Sequence, residues 1–367
     1  MPPEKPRFYG IQILRGIAAM LVLFHHQMLV ALDHIPATPY LHFFDNGAMG
    51  VDLFFPISGF VMFLTASSLL RRKASGPAIA REFIWRRVVR VVPVYWILTT
   101  LKLLAFVIAP AFFLHFTLRP WNVIGSYFFL PAFDHNLQPE PVIPVGWTLN
   151  AEMMFYAILA LALALRAPLL RFIATFIVTL AVIGFFVPQA ANHPWQAFLI
   201  WTDPVSLEFV AGMIFGAMLS RIRAVPLWLI APLAGAGLIF ALLVSVGPIF
   251  TFSPWRPLIW GVPGALIVWA TLALEPVMRL HKQRALLLLG DASYSLYLVQ
   301  TFLLPFVGFA LKPLHLHGAV GLLLFLLLST PVVLAISIVF HLYVELPLLR
   351  ALSRWSPPWS THSAEMV

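Results

Sequence analysis

The residues best placed to do chemistry stand first in "LRGIAAMLVLFHHQMLVALDH", residues 14–34, an almost wholly apolar stretch with an arginine at its start and two adjacent histidines near its middle. On an α-helix each residue turns about 100°. Eleven steps separate Arg15 from His26, about 1100° and within about 20° of three full turns, so the two share a face. His25, ten steps from Arg15, falls about 80° off it. The rise from Arg15 to His26 is about 16 Å, which runs from a membrane surface to near mid-bilayer. Imidazole is the side chain whose ordinary pKa suits proton transfer at neutral pH. Helix geometry leaves two roles open for His26: a base at the end of a path that Arg15 opens, or a single hydrogen bond between helices. For His25 the hydrogen bond is the expectation.

Other ionisable groups inside apolar stretches each ask for a partner or a function. In "GVDLFFPISGF", residues 50–60, Asp52 opens a span, where it either orients an imidazole or faces outer water. Ser58 is read there as a small residue that lets helices approach, and Pro56 as a kink. In "REFIWRRVVRVVPVYW", residues 81–96, Arg87 and Arg90 are three apart and Arg86 and Arg90 four apart, spacings that gather guanidinium groups on one helix. Arginine forks suit phosphates, so the cluster is a candidate site for a nucleotide-bearing cofactor; ordinary anchoring at the inner face or contact with anionic lipid is the alternative. Glu152 lies just inside a span in "PVGWTLNAEMMFYAI", residues 144–158, with Tyr156 one turn on and Trp147 before it. Its expected partner is an Arg or His of the first or third helix. Glu208 and Glu345 are expected to be structural and Asp203 to be solvated at an outer edge. "GDASYSLYLVQ", residues 290–300, brings Ser293, Tyr294, Ser295 and Tyr297 to a helix start that lines a cavity or caps the helix. There is no P-loop, dinucleotide fingerprint, zinc-protease helix or nucleophile elbow, and no metal-ligand spacing, so no metal is expected.

The elements that must position these residues are membrane spans. The chain is 61% hydrophobic and 10% charged with a mean hydropathy of +0.92, against about 25% charged residues in a soluble domain. This predicts an all-α integral membrane protein, a polytopic bundle of about ten helices at roughly 14–32, 51–70, 93–114, 149–165, 172–188, 203–220, 226–246, 257–274, 293–311 and 319–341. The short run 123–133 is read as interfacial or re-entrant. With the N-terminus inside, only Arg119, Arg256 and Lys312 fall in outer segments and Lys102 within a span; every other Lys and Arg lies on the cytoplasmic side, and both termini are cytoplasmic. The basic N-terminal segment is read as leading into an uncleaved first span. The net charge of +9 is therefore spread over the inner face, and nucleic acid is not expected as a partner; membrane lipids are. Residues 1–350 are expected to form one transmembrane domain and 351–367 a short disordered cytoplasmic tail. Cysteine is absent, which excludes disulfides, a thiolate nucleophile and cysteine-based metal sites.

The stretches "LRGIAAMLVLFHH", "GVDLFFPISGF", "FIWRRVVRVVPVYW", "GWTLNAEMMFY", "LGDASYSLYLVQ" and "HLYVELP" follow one another over nearly the whole chain. In that order the sequence resembles the membrane-bound acyltransferase-3 family, which includes O-acetyltransferases of bacterial surface polysaccharides, in a stand-alone form. The resemblance implies that Arg15 and His26 are the catalytic pair of the first helix, joined by Glu152. It implies that Arg87 and Arg90, with Arg86 beside them, bind acyl-CoA on the cytoplasmic side of a bacterial inner membrane. The donor would be acetyl-CoA or another acyl-CoA, and the acceptor a saccharide hydroxyl of an exopolysaccharide, lipopolysaccharide or other glycoside. His26 would act as general base or as acyl carrier. Two positions depart from the family pattern: Gln300 stands where His is frequent, and Pro56 where an aliphatic residue is usual. Trp121, Trp147 and Trp255 could stack on sugar or belong to an interfacial belt. The rival reading is a proton-coupled transporter or flippase of a lipid-linked saccharide.

Overall fold

Lipid offers no partner to backbone N–H and C=O groups, so each apolar run must satisfy its own, and it does so as a helix. A computed structural model of the chain describes residues 8–110, 118–133, 140–186, 198–244, 253–276 and 282–354. In chain order the helices are α1 (Tyr9–His34), α2 (Gly50–Leu70), α3 (Gly76–Ile108), α4 (Pro120–Phe128), α5 (Gly146–Ala164), α6 (Leu169–Phe186), α7 (Leu207–Ala217), α8 (Leu219–Ala224), α9 (Leu227–Leu243), α10 (Val262–Leu274), α11 (Arg284–Asp291), α12 (Ser293–Ala310), α13 (Gly318–Phe340) and α14 (Leu346–Arg354). A 3₁₀ segment, His42–Met49, leads into α2, and single π-helical segments, Pro257–Gly261 and His341–Glu345, precede α10 and α14. Among the described residues, eight helices are long and apolar enough to cross a membrane, and two shorter apolar ones lie at Pro204–Ala217 and Leu227–Leu243. The chain is a multi-pass helical membrane protein.

Three expectations change. The third span does not begin at 93. α3 is one helix of 33 residues, about 50 Å long, so the arginine cluster stands on its first half and the apolar stretch beyond Pro93 on its second. The span expected at 203–220 is interrupted: α7 ends at Ala217, Met218 leaves helical geometry, and α8 carries Arg221 and Arg223. The tail does not begin at 351, because α14 runs to Arg354 and Leu348 packs on the main core. Residues 355–367 lie outside the described residues, as does the end of the third span expected at 111–114.

Close helix approach sets the architecture. α2 packs most tightly on α7, where a Cβ placed on Gly212 would lie 1.9 Å from the Pro56 carbonyl oxygen. Only a residue without a side chain fits such a crossing. α2 runs continuously through Pro56. Proline has no N–H to give the Asp52 carbonyl, and Gly264 of α10 packs onto that carbonyl. The largest core joins α2, α3, α5, α6, α7 and α12 through Phe83, Phe155 and Phe209 among others. A second joins α1, α12 and α13, and a third joins α1, α2 and α10.

Candidate active site

Between α1, α2, α3, α5 and α12 lies a cavity of about 200 Å³. α1 contributes Arg15, α2 Ser58, α3 Arg87 and Arg90, α5 Thr148, Glu152 and Tyr156, and α12 Ser293, Tyr294 and Tyr297. The wall on α2 reaches from Val51 to Met62, about 16 Å of helix rise, so the cavity is elongated along the bundle. Three guanidinium groups face one carboxylate, which makes the wall cationic.

Glu152 is held by hydroxyls. Its Oε1 accepts from Ser58 Oγ at 3.2 Å and from the Tyr156 hydroxyl. Ser58 therefore does more than let helices approach: it is a direct partner of the carboxylate. The hydrogen-bond partners of Glu152 are thus hydroxyls and not the Arg or His of the first or third helix that the sequence suggests; Arg15, Arg87 and Arg90 line the same cavity. Arg87 lies over the Phe83 ring at 5.8 Å, and its Nε is buried with no hydrogen-bond partner. Tyr294 donates to the Val91 carbonyl at 2.8 Å, and the Thr148 and Tyr297 hydroxyls lie 3.0 Å apart. The polar start of α12 thus lines the cavity through Ser293, Tyr294 and Tyr297. Ser295 turns elsewhere, donating to Glu345 Oε2 at 2.5 Å, while His341 Nδ1 lies 2.8 Å from the same oxygen.

Two predicted site residues are off this wall. Arg86 is not in the cavity with Arg87 and Arg90: its Nη2 donates to Glu82 Oε1 at 2.5 Å, and Arg72 binds that same oxygen at 2.8 Å. His26 lies beyond the lining. Its Nδ1 meets the Val22 carbonyl at 2.8 Å; the carbonyl accepts, so Nδ1 carries the hydrogen and the neutral ring keeps its lone pair at Nε2. The rings of His25 and His26 meet edge to face with centroids 5.3 Å apart. His25 is engaged by the segment before α2, with Nδ1 at 3.2 Å from the Phe44 carbonyl and its Cβ against Gly47. Gln300 is fully buried and donates to the Tyr297 carbonyl at 3.2 Å.

Beside the cavity's α5 end stands a sealed charge cluster that the sequence does not announce. Asp52 neither faces water nor binds an imidazole: both its oxygens accept from Arg256, at 3.0 Å from Nε and 2.8 Å from Nη2. Arg256 falls in an outer basic segment by charge pattern, yet it is 1% exposed and lies over the rings of Trp147 and Trp260 at 5.7 and 5.3 Å. Asp203 is not solvated either. Its Oδ1 accepts from the Val205 N–H at 2.8 Å, and the residue is 5% exposed. The signal in the sequence is Arg256 itself, one arginine between two prolines and two tryptophans in "SPWRPLIW". Trp147 is covered by this cluster, whereas Trp121 and Trp255 are exposed. Among the described residues no three His, Asp or Glu side chains stand together as a metal site.

Known proteins share this sequence along most of its length. The model of a family described as "Acyltransferase domain" matches residues 8–342. The chain is 36% identical to the exopolysaccharide production protein ExoZ of Rhizobium meliloti (strain 1021) over 312 residues, covering 84% of this chain and 92% of that protein. It is 27% identical to the acyltransferase MdmB of Streptomyces mycarofaciens over 401 aligned positions, covering 97% of this chain and 95% of that protein. No solved structure matches it.

Proposed function

The chain belongs to the Acyltransferase domain family, and on that premise we propose that it moves an acyl group, acetyl in the first instance, from cytoplasmic acyl-CoA to a saccharide hydroxyl at or beyond the outer face of the bacterial inner membrane. The observation that carries this reading is the elongated cavity with Arg15, Arg87 and Arg90 on its wall and an unpaired, buried Arg87 Nε. Guanidinium groups at one mouth suit the phosphates of a nucleotide that cannot enter lipid. The volume of about 200 Å³ is below the about 300–1,000 Å³ that encloses a whole drug-sized ligand. It suits an acyl group with part of a pantetheine arm, the nucleotide staying outside. The likeness to a protein named for exopolysaccharide production supports a polysaccharide acceptor.

In the simpler of two mechanisms, His26 Nε2 takes the proton of the acceptor hydroxyl. The oxygen attacks the thioester carbonyl, the carbon–sulfur bond breaks, and the thiol of CoA leaves with a proton. In the other, the imidazole itself is acylated and passes the group on. Because His26 lies beyond the cavity wall, the pantetheine arm must extend past Glu152 along α1 to reach it. The test is transfer from radiolabelled acetyl-CoA into the extractable saccharide of vesicles, with wild type, His26→Ala and His25→Ala at matched protein levels. The expected result is label lost in His26→Ala and largely kept in His25→Ala. Equal loss in both, or in neither, sinks the role of His26. Absence of label in wild type with acetyl-CoA intact turns the reading toward a transporter.

A further inference from the structure

The cavity between α1, α2, α3, α5 and α12 is open at one end and closed at the other. At the arginine end Arg90 is exposed. At the opposite end Val51, Phe55, Thr148, Leu149 and Tyr297 are each at most 6% exposed, and Phe54 completes the lining. The two ends are related by single helical turns. Ser58 and Glu152 meet at 3.2 Å. Stepping from Ser58 to Phe54 on α2, or from Glu152 to Thr148 on α5, is about 6 Å of helix rise. The closed end therefore begins about one turn beyond the Glu152 carboxylate.

That end is held in shape from several sides. The Phe54 and Tyr297 rings meet edge to face with centroids 5.6 Å apart. The Tyr297 hydroxyl lies 3.0 Å from Thr148 Oγ1 and donates to the Val145 carbonyl at 3.4 Å; Thr148 Oγ1 donates to the same carbonyl at 2.9 Å. Both hydroxyls thus find their partners within the protein, and what the wall offers a ligand is carbon. Phe54 packs against all three main cores, and Phe55 stacks on Phe209 with centroids 4.5 Å apart. Close-packed interiors of this kind yield little to an added methylene. Val22, on which Gly50 packs at the start of α2, has the carbonyl that takes the His26 Nδ1–H, so the wall stands on the His26 side of the cavity.

We propose that Phe54 and Tyr297 set the length of the acyl group: they stop its chain about one turn beyond Glu152, admit acetyl and turn away butyryl and longer chains. The inference rests on the reading of this cavity as the acyl-CoA site and adds to it the class of donor, a short-chain thioester. The volume of about 200 Å³ also has to hold part of the pantetheine arm, which leaves little room beyond the thioester. In an apolar pocket one methylene too many discriminates by about 10–200-fold, and butyryl carries two more than acetyl.

The test is calorimetric titration of the full chain, in nanodiscs of phosphatidylcholine and with no acceptor present, by CoA, acetyl-CoA, butyryl-CoA and hexanoyl-CoA. Each thioester affinity is referred to that of free CoA for the same variant, so that any change at the arginine mouth cancels. Wild type should bind acetyl-CoA at least about tenfold tighter than butyryl-CoA or hexanoyl-CoA. Phe54→Ala removes the ring from the wall and should bring butyryl-CoA level with acetyl-CoA or above it; Phe54→Leu, which leaves a smaller gap, should fall between. Thermal unfolding identifies the variants that keep the fold, and the wild-type series needs none of them. Hexanoyl-CoA bound by wild type as tightly as acetyl-CoA, or a folded Phe54 variant with the wild-type order of affinities, overturns the length limit and leaves the acyl-CoA site in place. Binding of neither CoA nor any thioester to wild type removes that site, and the length limit with it.

Discussion

Arg86 and Arg87 are neighbours in sequence with different tasks. Arg86 is held by Glu82 one turn earlier, while Arg87 turns to the cavity with its Nε unpaired. A hydrogen bond to a charged group contributes about 1.5–3 kcal/mol, and each 1.4 kcal/mol is about tenfold in affinity. Arg87→Gln should therefore weaken calorimetric binding of CoA to the purified protein by about ten- to a hundredfold, and Arg86→Gln by less than about threefold. Arg86→Gln should instead lower thermal stability, because Glu82 keeps only Arg72. Similar losses of affinity in both would show that the pair with Glu82 does not divide them. Much of this is legible in the sequence: the three-residue spacing puts Arg87 and Arg90 together, and the Glu82–Arg86 spacing of four in "REFIWRR" already offers Arg86 a partner. What one helix cannot disclose is which of its faces a cavity touches. Turn arithmetic groups Arg15 with His26, but neighbouring helices decide that Arg15 lines the cavity and His26 lies beyond it.

At the scale of elements, the Asp52–Arg256 pair fastens α2 to the π-helical segment that opens α10. Both groups are almost fully enclosed. Removing one partner of such a pair strands a buried charge and costs about 3–5 kcal/mol, whereas replacing both with apolar residues of similar volume is often neutral. Asp52→Asn should thus lower the unfolding temperature in detergent markedly, and Asp52→Leu/Arg256→Met should recover most of the loss. A double variant as unstable as the single one would mean that Asp203 depends on Arg256 as much as Asp52 does. Sequence could not reveal this pair. The partners are 204 residues apart, and no periodicity links a residue of one helix to a residue of another so distant. The helices themselves are legible, because apolar length reports the need to satisfy backbone groups in lipid. Their ends are less so. α3 extends through its arginines because a helix longer than the bilayer can carry charge at the end that leaves it, and hydropathy alone reads that end as a loop.

For the whole molecule the question is which end faces the cytoplasm, since acyl-CoA is found only there on the proposed reading. The positive-inside rule sums over many residues, so misplacing one arginine leaves the orientation it gives unchanged. Arg256 is such a case: it sits in an outer segment by count and inside the protein in fact. The chain has no cysteine, so single cysteines report topology without background. Lys73 lies in the turn between α2 and α3, at the Arg15 end of the bundle, and Leu41 in the connection between α1 and α2, at the His34 end; both are exposed. In cells with the outer membrane permeabilised, an impermeant maleimide should label Leu41→Cys at once and Lys73→Cys only after the inner membrane is broken. The reverse pattern would place the arginine mouth outside, where acyl-CoA cannot reach it. It would remove the transferase reading even though every contact within the bundle stayed the same, because the cavity takes its donor from the compartment it opens to.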